Sequence, residues 1–424
     1  MRITRTRRLR RRRPLRCAPL PAALLAVAAI LSPGGALPGV GAGRAAARTA
    51  ESGAQSTFID PSVRSSGMGR AAVAVFWGDD PEDWANPSLL SQRRGVHFEW
   101  GRTRLVPDLA NDVHFTTTRL TAGAYGIGIS IVGKPWVDVG EHYLDYGASF
   151  ATDVDGNIIG TFHSHEETRS IVFGVSLTTL FENLARATGG DPPRLSRRVD
   201  VSVGHAWKTI DVSFAPAWVT VDQKAGAGEA RTGDTGILGR VTPHNTLGDD
   251  GRASAGWGSR LDLSGGWSFL NDDGSTISYI DVAQADPIIR DSRLGVAARL
   301  LLDRAPARER SWLTDMTAPL LSLGATWERS RYSWRSFEYD QTVNRWGLEA
   351  VLGNVVSLRM GHVDDPRGTI QDFTWGFGAG FTYRGAVGVR YDYATVPQSR
   401  FLGRVERHGV TAFVDPLRLW TGLR

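Results

Sequence analysis

Apolar and polar residues alternate one for one along most of this chain, and that period restricts it to β-structure more than any other feature does. Successive side chains of a strand leave opposite faces, so strict alternation builds one apolar and one polar face. Val96, Phe98 and Trp100 alternate with His97, Glu99 and Gly101, and Val199, Val201 and Val203 with Asp200, Ser202 and Gly204. Ile210, Val212 and Phe214 continue the pattern, as do Leu294, Val296, Ala298, Leu300 and Leu302. The clearest run is Trp375, Phe377, Ala379, Phe381 and Tyr383, set between Gly376, Gly378, Gly380 and Thr382. Val387, Val389, Tyr391 and Tyr393 follow, separated by Gly388, Arg390 and Asp392.

A soluble sandwich alternates too, so run length has to discriminate. Many runs reach about ten residues, the length of a tilted membrane-spanning strand, against a usual soluble length of about five or six. Aromatics gather toward run ends, at Trp100, Trp207, Trp218, Trp327, Trp334 and Tyr393, as interfacial girdles require. Turn-forming stretches such as Asp153-Val154-Asp155-Gly156-Asn157 and Asp364-Asp365-Pro366-Arg367-Gly368 break the runs. The pattern predicts an all-β, antiparallel transmembrane β-barrel of about fourteen strands. A secreted soluble sandwich or propeller stays as the other fold.

The net charge of +5 has a local origin. Residues 1–16 hold nine arginines and no acid, and the apolar stretch from Ala22 to Leu31 follows, then small residues. A basic head, a short apolar core and a small-residue site describe a secretory signal peptide, with cleavage expected after Ala42 or near Ala45-Ala46-Ala47. Removing residues 1–42 takes those nine arginines away and turns +5 into −4, so nucleic acid is not an expected partner. Cys17, the one cysteine, leaves with the signal, which excludes a disulfide framework and cysteine metal sites.

Three stretches do not read as strands. Residues 43–66 look like a polar, poorly ordered leader. Pro81 to Gln92 looks like a short helix or plug. Leu177, Leu180, Phe181 and Leu184 repeat at helical spacing within Leu177 to Ala187, and Gly189-Gly190-Asp191-Pro192-Pro193 stops the run, so the segment reads as a helix in a loop or the tail of a strand. The expected division is a signal peptide over 1–42, the leader over 43–66, an N-terminal hatch over 67–93 and the barrel over 94–424.

Met68 to Ala74, then Asp80 and Trp84-Ala85-Asn86-Pro87-Ser88-Leu89-Leu90, resemble the N-terminal pattern shared by FadL-type transporters and PorV/PorQ-type outer-membrane proteins. Leu105 to Leu109, Gly126-Ile127-Gly128, Leu144 to Gly147, Gly388 to Ala394 and His408-Gly409-Val410 resemble later strands and the closing hairpin of PorV-like chains. The resemblance implies a fourteen-stranded barrel in the bacterial outer membrane, with Asn86, Pro87 and Ser88 in a hatch that folds into the lumen. Its FadL-like branch implies uptake of hydrophobic small molecules. Its PorV-like branch implies a non-catalytic scaffold or shuttle for protein substrates of type IX secretion. Ser88 stands where the family has Ala, and the chain ends without a terminal aromatic, Trp420 being nearest.

No enzyme, cofactor or metal is expected. His163 and His165 lie on one strand face at i, i+2, but no third ligand stands near, and Asp153 to Asn157 lacks the distal acid of a calcium loop, Ser164 holding that place. No Gly-x-Ser-x-Gly elbow follows the signal. Arg299, Arg359 and Arg390 fall on polar strand faces and are lumen candidates, expected to pair with carboxylates inside the barrel. The expected partners are outer-membrane lipid and lipopolysaccharide, with a hydrophobic solute or a secreted protein substrate.

Overall fold

The computed structural model describes residues 53–422, apart from 79–81, 111, 134–141, 215–226, 249–251, 272, 274, 280–284, 306–316, 335–336, 384 and 400–401. The expected signal peptide, Cys17, Asp80 and Trp218 fall outside the described residues, as does the side chain of Trp334.

Seventeen described strands join in one antiparallel sheet that closes on itself. They are β1 (Gly95–Arg104), β2 (His114–Ala124), β3 (Ile127–Val132), β4 (His142–Thr152), β5 (Ile158–Ser176), β6 (Val199–Ser213), β7 (Ala227–Asn245), β8 (Trp257–Leu270) and β9 (Thr276–Tyr279). They continue as β10 (Ala285–Pro287), β11 (Arg290–Arg304), β12 (Leu321–Trp334), β13 (Phe337–Leu352), β14 (Val356–Asp365), β15 (Ile370–Tyr383), β16 (Val387–Val396) and β17 (Val405–Val414).

Fourteen staves form the wall, because three of these strands are not separate staves. β3 and β4 are two parts of one stave. β3 ends at Val132, opposite Ser170 of β5, and β4 begins at His142, opposite Thr168. β9 and β10 form a short hairpin beyond β8, paired also to the start of β7. β1 meets β17 from Val96↔Val414 to Thr103↔Arg407, which closes the ring. Closure leaves no edge, so each of the fourteen staves has a neighbour on both sides for its backbone N–H and C=O groups.

The two faces of the wall are the reverse of a water-soluble protein. Exposed positions of β1 are Val96, Phe98 and Trp100, while Glu99 and Thr103 point inward and are buried. On β15, Phe373, Trp375, Phe377 and Phe381 are exposed. Arg119, Glu166, Lys208, Asp234, Glu328, Glu349 and Arg359 are buried inside. Apolar outside and charged inside is stable only where the outer solvent is hydrocarbon, so the wall is a membrane-crossing barrel. Among the described residues no helix is long and apolar enough to cross a membrane, and the crossing is made by strands.

With an even number of staves, the first and last strands reach the same rim, called here the terminal rim, where Gly95 begins β1 and Val414 ends β17. Helix α1 (Val63–Gly67) and the single-turn 3-10 segments Gln55–Phe58 and Pro87–Gln92 lie inside the wall. Helix α2 (Leu177–Ala187) joins β5 to β6 at the terminal rim, over the residues whose spacing predicts it. Helix α3 (Pro416–Gly422) ends the described chain.

One expectation needs correction. Residues 53–66 do not form a poorly ordered polar leader. Ser56, Ser62, Arg64 and Ser65 are almost wholly buried in the lumen, where the wall carboxylates Glu166 and Glu349 accept from Ser56 and Arg64, and Asp60 of the same segment accepts from Ser62 and Ser65. Polarity marks exposure only when the alternative is an apolar interior, and this interior is charged.

Candidate functional site: the plugged lumen

Residues 53–78 and 82–93 lie in the lumen with little regular secondary structure, so most of their backbone groups need partners from the wall. The wall provides them. Glu328 accepts the N–H groups of Ala72 (2.8 Å) and Val73 (3.0 Å). Thr326 donates to the Ala71 carbonyl at 2.9 Å, Ser264 to that of Ala74 at 2.7 Å and Ser268 to that of Ala85 at 2.7 Å. Glu166 accepts the Ser56 N–H at 2.8 Å, and Thr374 accepts that of Gly69 at 2.9 Å.

Charged groups fasten the plug more strongly. Arg64 of α1 meets Glu349 of β13 through two parallel bonds, Nε–Oε1 at 2.9 Å and Nη2–Oε2 at 2.7 Å, and Glu82 through Nη1 at 3.1 Å. Glu349 also accepts from Trp77 Nε1 (2.9 Å) and Arg359 Nε (2.8 Å). Arg359 continues to Asp392 at 2.6 Å, and Asp392 to Arg390 at 3.2 Å. A second group joins Arg119 of β2 to Asp83 of the plug at 2.7 Å and to Glu99 of β1. Lys208 lies 4.3 Å from the ring centre of plug residue Trp84 and pairs with Asp234 at 2.6 Å.

Glycines let the plug approach the wall. Gly128, Gly174, Gly204 and Gly236 sit opposite one another across four adjacent staves. A Cβ at Gly174 would stand 2.8 Å from the Pro87 carbonyl oxygen, and one at Gly204 would collide with the Pro87–Ser88 peptide. Gly347 and Gly361, also paired, meet Met68 and Gly69 in the same way. At these six glycines the plug meets the wall backbone.

Asn86 is central to this arrangement. Its Oδ1 accepts the Ser88 N–H (3.1 Å) and hydroxyl (2.6 Å), capping the turn that Pro87 opens. Its Nδ2 donates to Val73 O (2.9 Å) inside the plug and to Ile237 O (3.0 Å) on β7. Asn86 thus ties the two halves of the plug to each other and to the wall. Of the three lumen arginines, Arg359 and Arg390 share Asp392, while Arg299 donates to Ser322 Oγ at 3.0 Å. Arg299 also lines, with Trp77, Arg93 and Arg390, a cavity of about 320 Å³ between the plug and the terminal rim. Toward the far rim the lumen carries an apolar cluster of Ile210, Val212, Ala230, Ile277 and Ile288 around plug residue Ala54, with Phe214 against it.

The paired histidines part company: His163 is half-exposed and bonded to Asp145 at 3.2 Å, and His165 stacks on Tyr143. Asp153 accepts the N–H groups of Asp155 (3.0 Å) and Asn157 (2.8 Å) and the Asn157 amide (2.9 Å), which closes a hairpin turn. Sequence reasoning missed Arg64, Glu82 and Asp83 as plug contacts and Glu349 as their main acceptor. The available signal was a set of charges on the face opposite the apolar one, which marks lumen position but not partner.

No family model and no curated protein matches the chain. Among solved structures it is similar to the toluene transporter TbuX of Ralstonia pickettii, at 10% identity over 82% of this chain and 95% of that one, with a TM-score of 0.38. It is similar also to a FadL homologue of Pseudomonas aeruginosa (9%, 83% and 98%, 0.35) and to the toluene transporter TodX of Pseudomonas putida (13%, 82% and 95%, 0.34). At these scores the likeness carries no argument about what passes through this barrel.

Proposed function

We propose that the protein is an outer-membrane channel for small hydrophobic molecules, of the FadL type, closed in its resting state by its own N-terminal residues. One observation carries the reading: a membrane-crossing barrel whose lumen is occupied by residues 53–78 and 82–93 of the same chain, held by ion pairs and by backbone packing against wall glycines. An occupied lumen cannot be a general pore, so passage requires the plug to shift.

The terminal rim faces the periplasm, because this orientation spares both chain ends a crossing of the bilayer during insertion. The far rim then faces outward, into the lipopolysaccharide leaflet. Its apolar cluster, Ile210 and Val212 with Phe214 packed against it, is buried around Ala54 and lines the path of a hydrophobic solute once the plug shifts. The cavity beside Arg299 is the exit chamber, reached when the segment around Asn86, Pro87 and Ser88 moves. Arg359 and Arg390 hold wall and plug together through Glu349 and Asp392 and take no part in recognition.

The test is transport. Deleting residues 67–93 is expected to raise ion conductance in planar bilayers, and an unchanged conductance overturns the hatch assignment. Cells carrying the intact chain are expected to take up radiolabelled toluene faster than cells without it. Equal uptake, together with a stoichiometric protein partner recovered from the membrane, would replace the channel by the PorV-like scaffold.

A further inference from the structure

The connection from β5 to β6 carries a surface that the channel reading leaves unused. Helix α2 is turned by its polar side. Ser176 caps it by accepting the Thr179 N–H at 3.0 Å, and Thr178 Oγ accepts the Val201 N–H at 3.1 Å. Asn183 donates to the Tyr125 carbonyl of the β2–β3 turn at 3.2 Å. Glu182, nearly wholly buried, accepts the Ser196 N–H at 2.6 Å and pairs with Arg186 at 3.2 Å. These bonds fix the rotation of the helix and leave the opposite side uncovered.

That side is apolar. Leu177, Leu180, Phe181 and Leu184 follow the i, i+3, i+4, i+7 spacing of one helical stripe, and Phe181 and Leu184 are 59% and 63% exposed. The stripe continues the outer apolar surface of the barrel, since Phe173 near the end of β5 and Val199 and Val201 at the start of β6 are exposed as well. The segment that follows adds exposed Arg194, Arg197 and Arg198 against the single exposed acid Asp191. Large apolar side chains left in water are costly. An amphipathic helix beside a membrane wall buries them in the interface, where nearby arginines draw anionic headgroups.

We infer that α2 lies in the headgroup–acyl boundary of the leaflet at the terminal rim and binds anionic phospholipid there. Leu180, Phe181 and Leu184 enter the acyl region, and Arg194, Arg197 and Arg198 meet the phosphates. Continuity with the apolar wall and complementary charge select a lipid surface as the occupant. The inference rests on the membrane-crossing fold and is independent of whether the lumen conducts.

The chain with Cys17→Ser carries no cysteine, so single nitroxide labels can be placed through Leu180→Cys, Leu184→Cys or Asn183→Cys in the full protein. Each labelled chain is first checked for heat-modifiable gel migration, then placed in phosphatidylcholine discs with or without phosphatidylglycerol. Labels at 180 and 184 are expected to collide several-fold more with oxygen than with a water-soluble nickel chelate, and the label at 183 to show the reverse. Phosphatidylglycerol is expected to draw the 184 label deeper, and Arg194→Gln, Arg197→Gln and Arg198→Gln together to remove that dependence while migration stays normal. A 184 label as open to nickel as the 183 label overturns the proposal. So does a depth indifferent to phosphatidylglycerol, or a stripe that becomes covered only when a second protein is added.

Discussion

Glu349 shows how much one lumen residue carries. Its two oxygens accept two bonds from Arg64 and one each from Arg359 and Trp77, all in a site shut off from water. Removing one partner of a buried ion group leaves uncompensated charge, at a cost of about 3–5 kcal/mol. Glu349→Gln keeps the shape and is expected to lower stability by that order in a denaturant titration, and to raise single-channel conductance as α1 loosens. A variant as stable and as closed as the parent would mean that Glu349 is incidental. At Asp153 the side chain and backbone of Asn157 hold the carboxyl below its ordinary value. A depressed carboxylate contributes stability above the unfolded value of about 3.9 and loses it as pH falls through the folded one. Protection of the amides in residues 153–157, taken relative to the intrinsic exchange rate at each pH, is therefore expected to hold at neutral pH and to fall only in acid below about pH 4. Asp153→Ala should lower that protection at neutral pH and make no difference once the carboxyl is protonated.

At the scale of elements, local pattern succeeded where a segment keeps its own period. The helix over Leu177–Ala187 was legible because an apolar stripe at helical spacing ends in Gly and Pro, and nothing in the fold overrides it. The plug was legible only in part. Asn86-Pro87-Ser88 was expected inside the barrel from resemblance alone, and its capped turn emerged only in the structure. Residues 53–66 were misread because serines and an arginine look solvated when read by themselves, while the fold sets them against Glu166, Thr168 and Glu349. The paired glycines supply the test at this scale. Gly204→Val directs a branched side chain into the Pro87–Ser88 peptide while leaving the strand's outer face intact. The barrel is expected to keep its heat-modifiable migration and to gain conductance, whereas a closed channel would show that the plug yields there without opening.

For the whole molecule the prediction is physical. A closed antiparallel wall with apolar residues outside resists detergent until heated, so the membrane-extracted protein is expected to migrate differently before and after boiling. A soluble chain with no shift would remove the membrane and lumen assignments together. The sequence by itself determined the wall: strict alternation over about ten residues and turn-rich breaks admit few structures besides a barrel of about fourteen staves. It determined too that Arg299, Arg359 and Arg390 occupy the polar face, since side-chain direction in a strand is a matter of parity. Only the tertiary structure decided which charge meets which, that Arg359 and Arg390 share Asp392 while Arg299 turns to Ser322, and that Arg64 finds Glu349 at a separation of 285 residues. Parity is a local property of backbone geometry. Partnership depends on ring closure and on how the plug threads the lumen, and neither leaves a period in the chain.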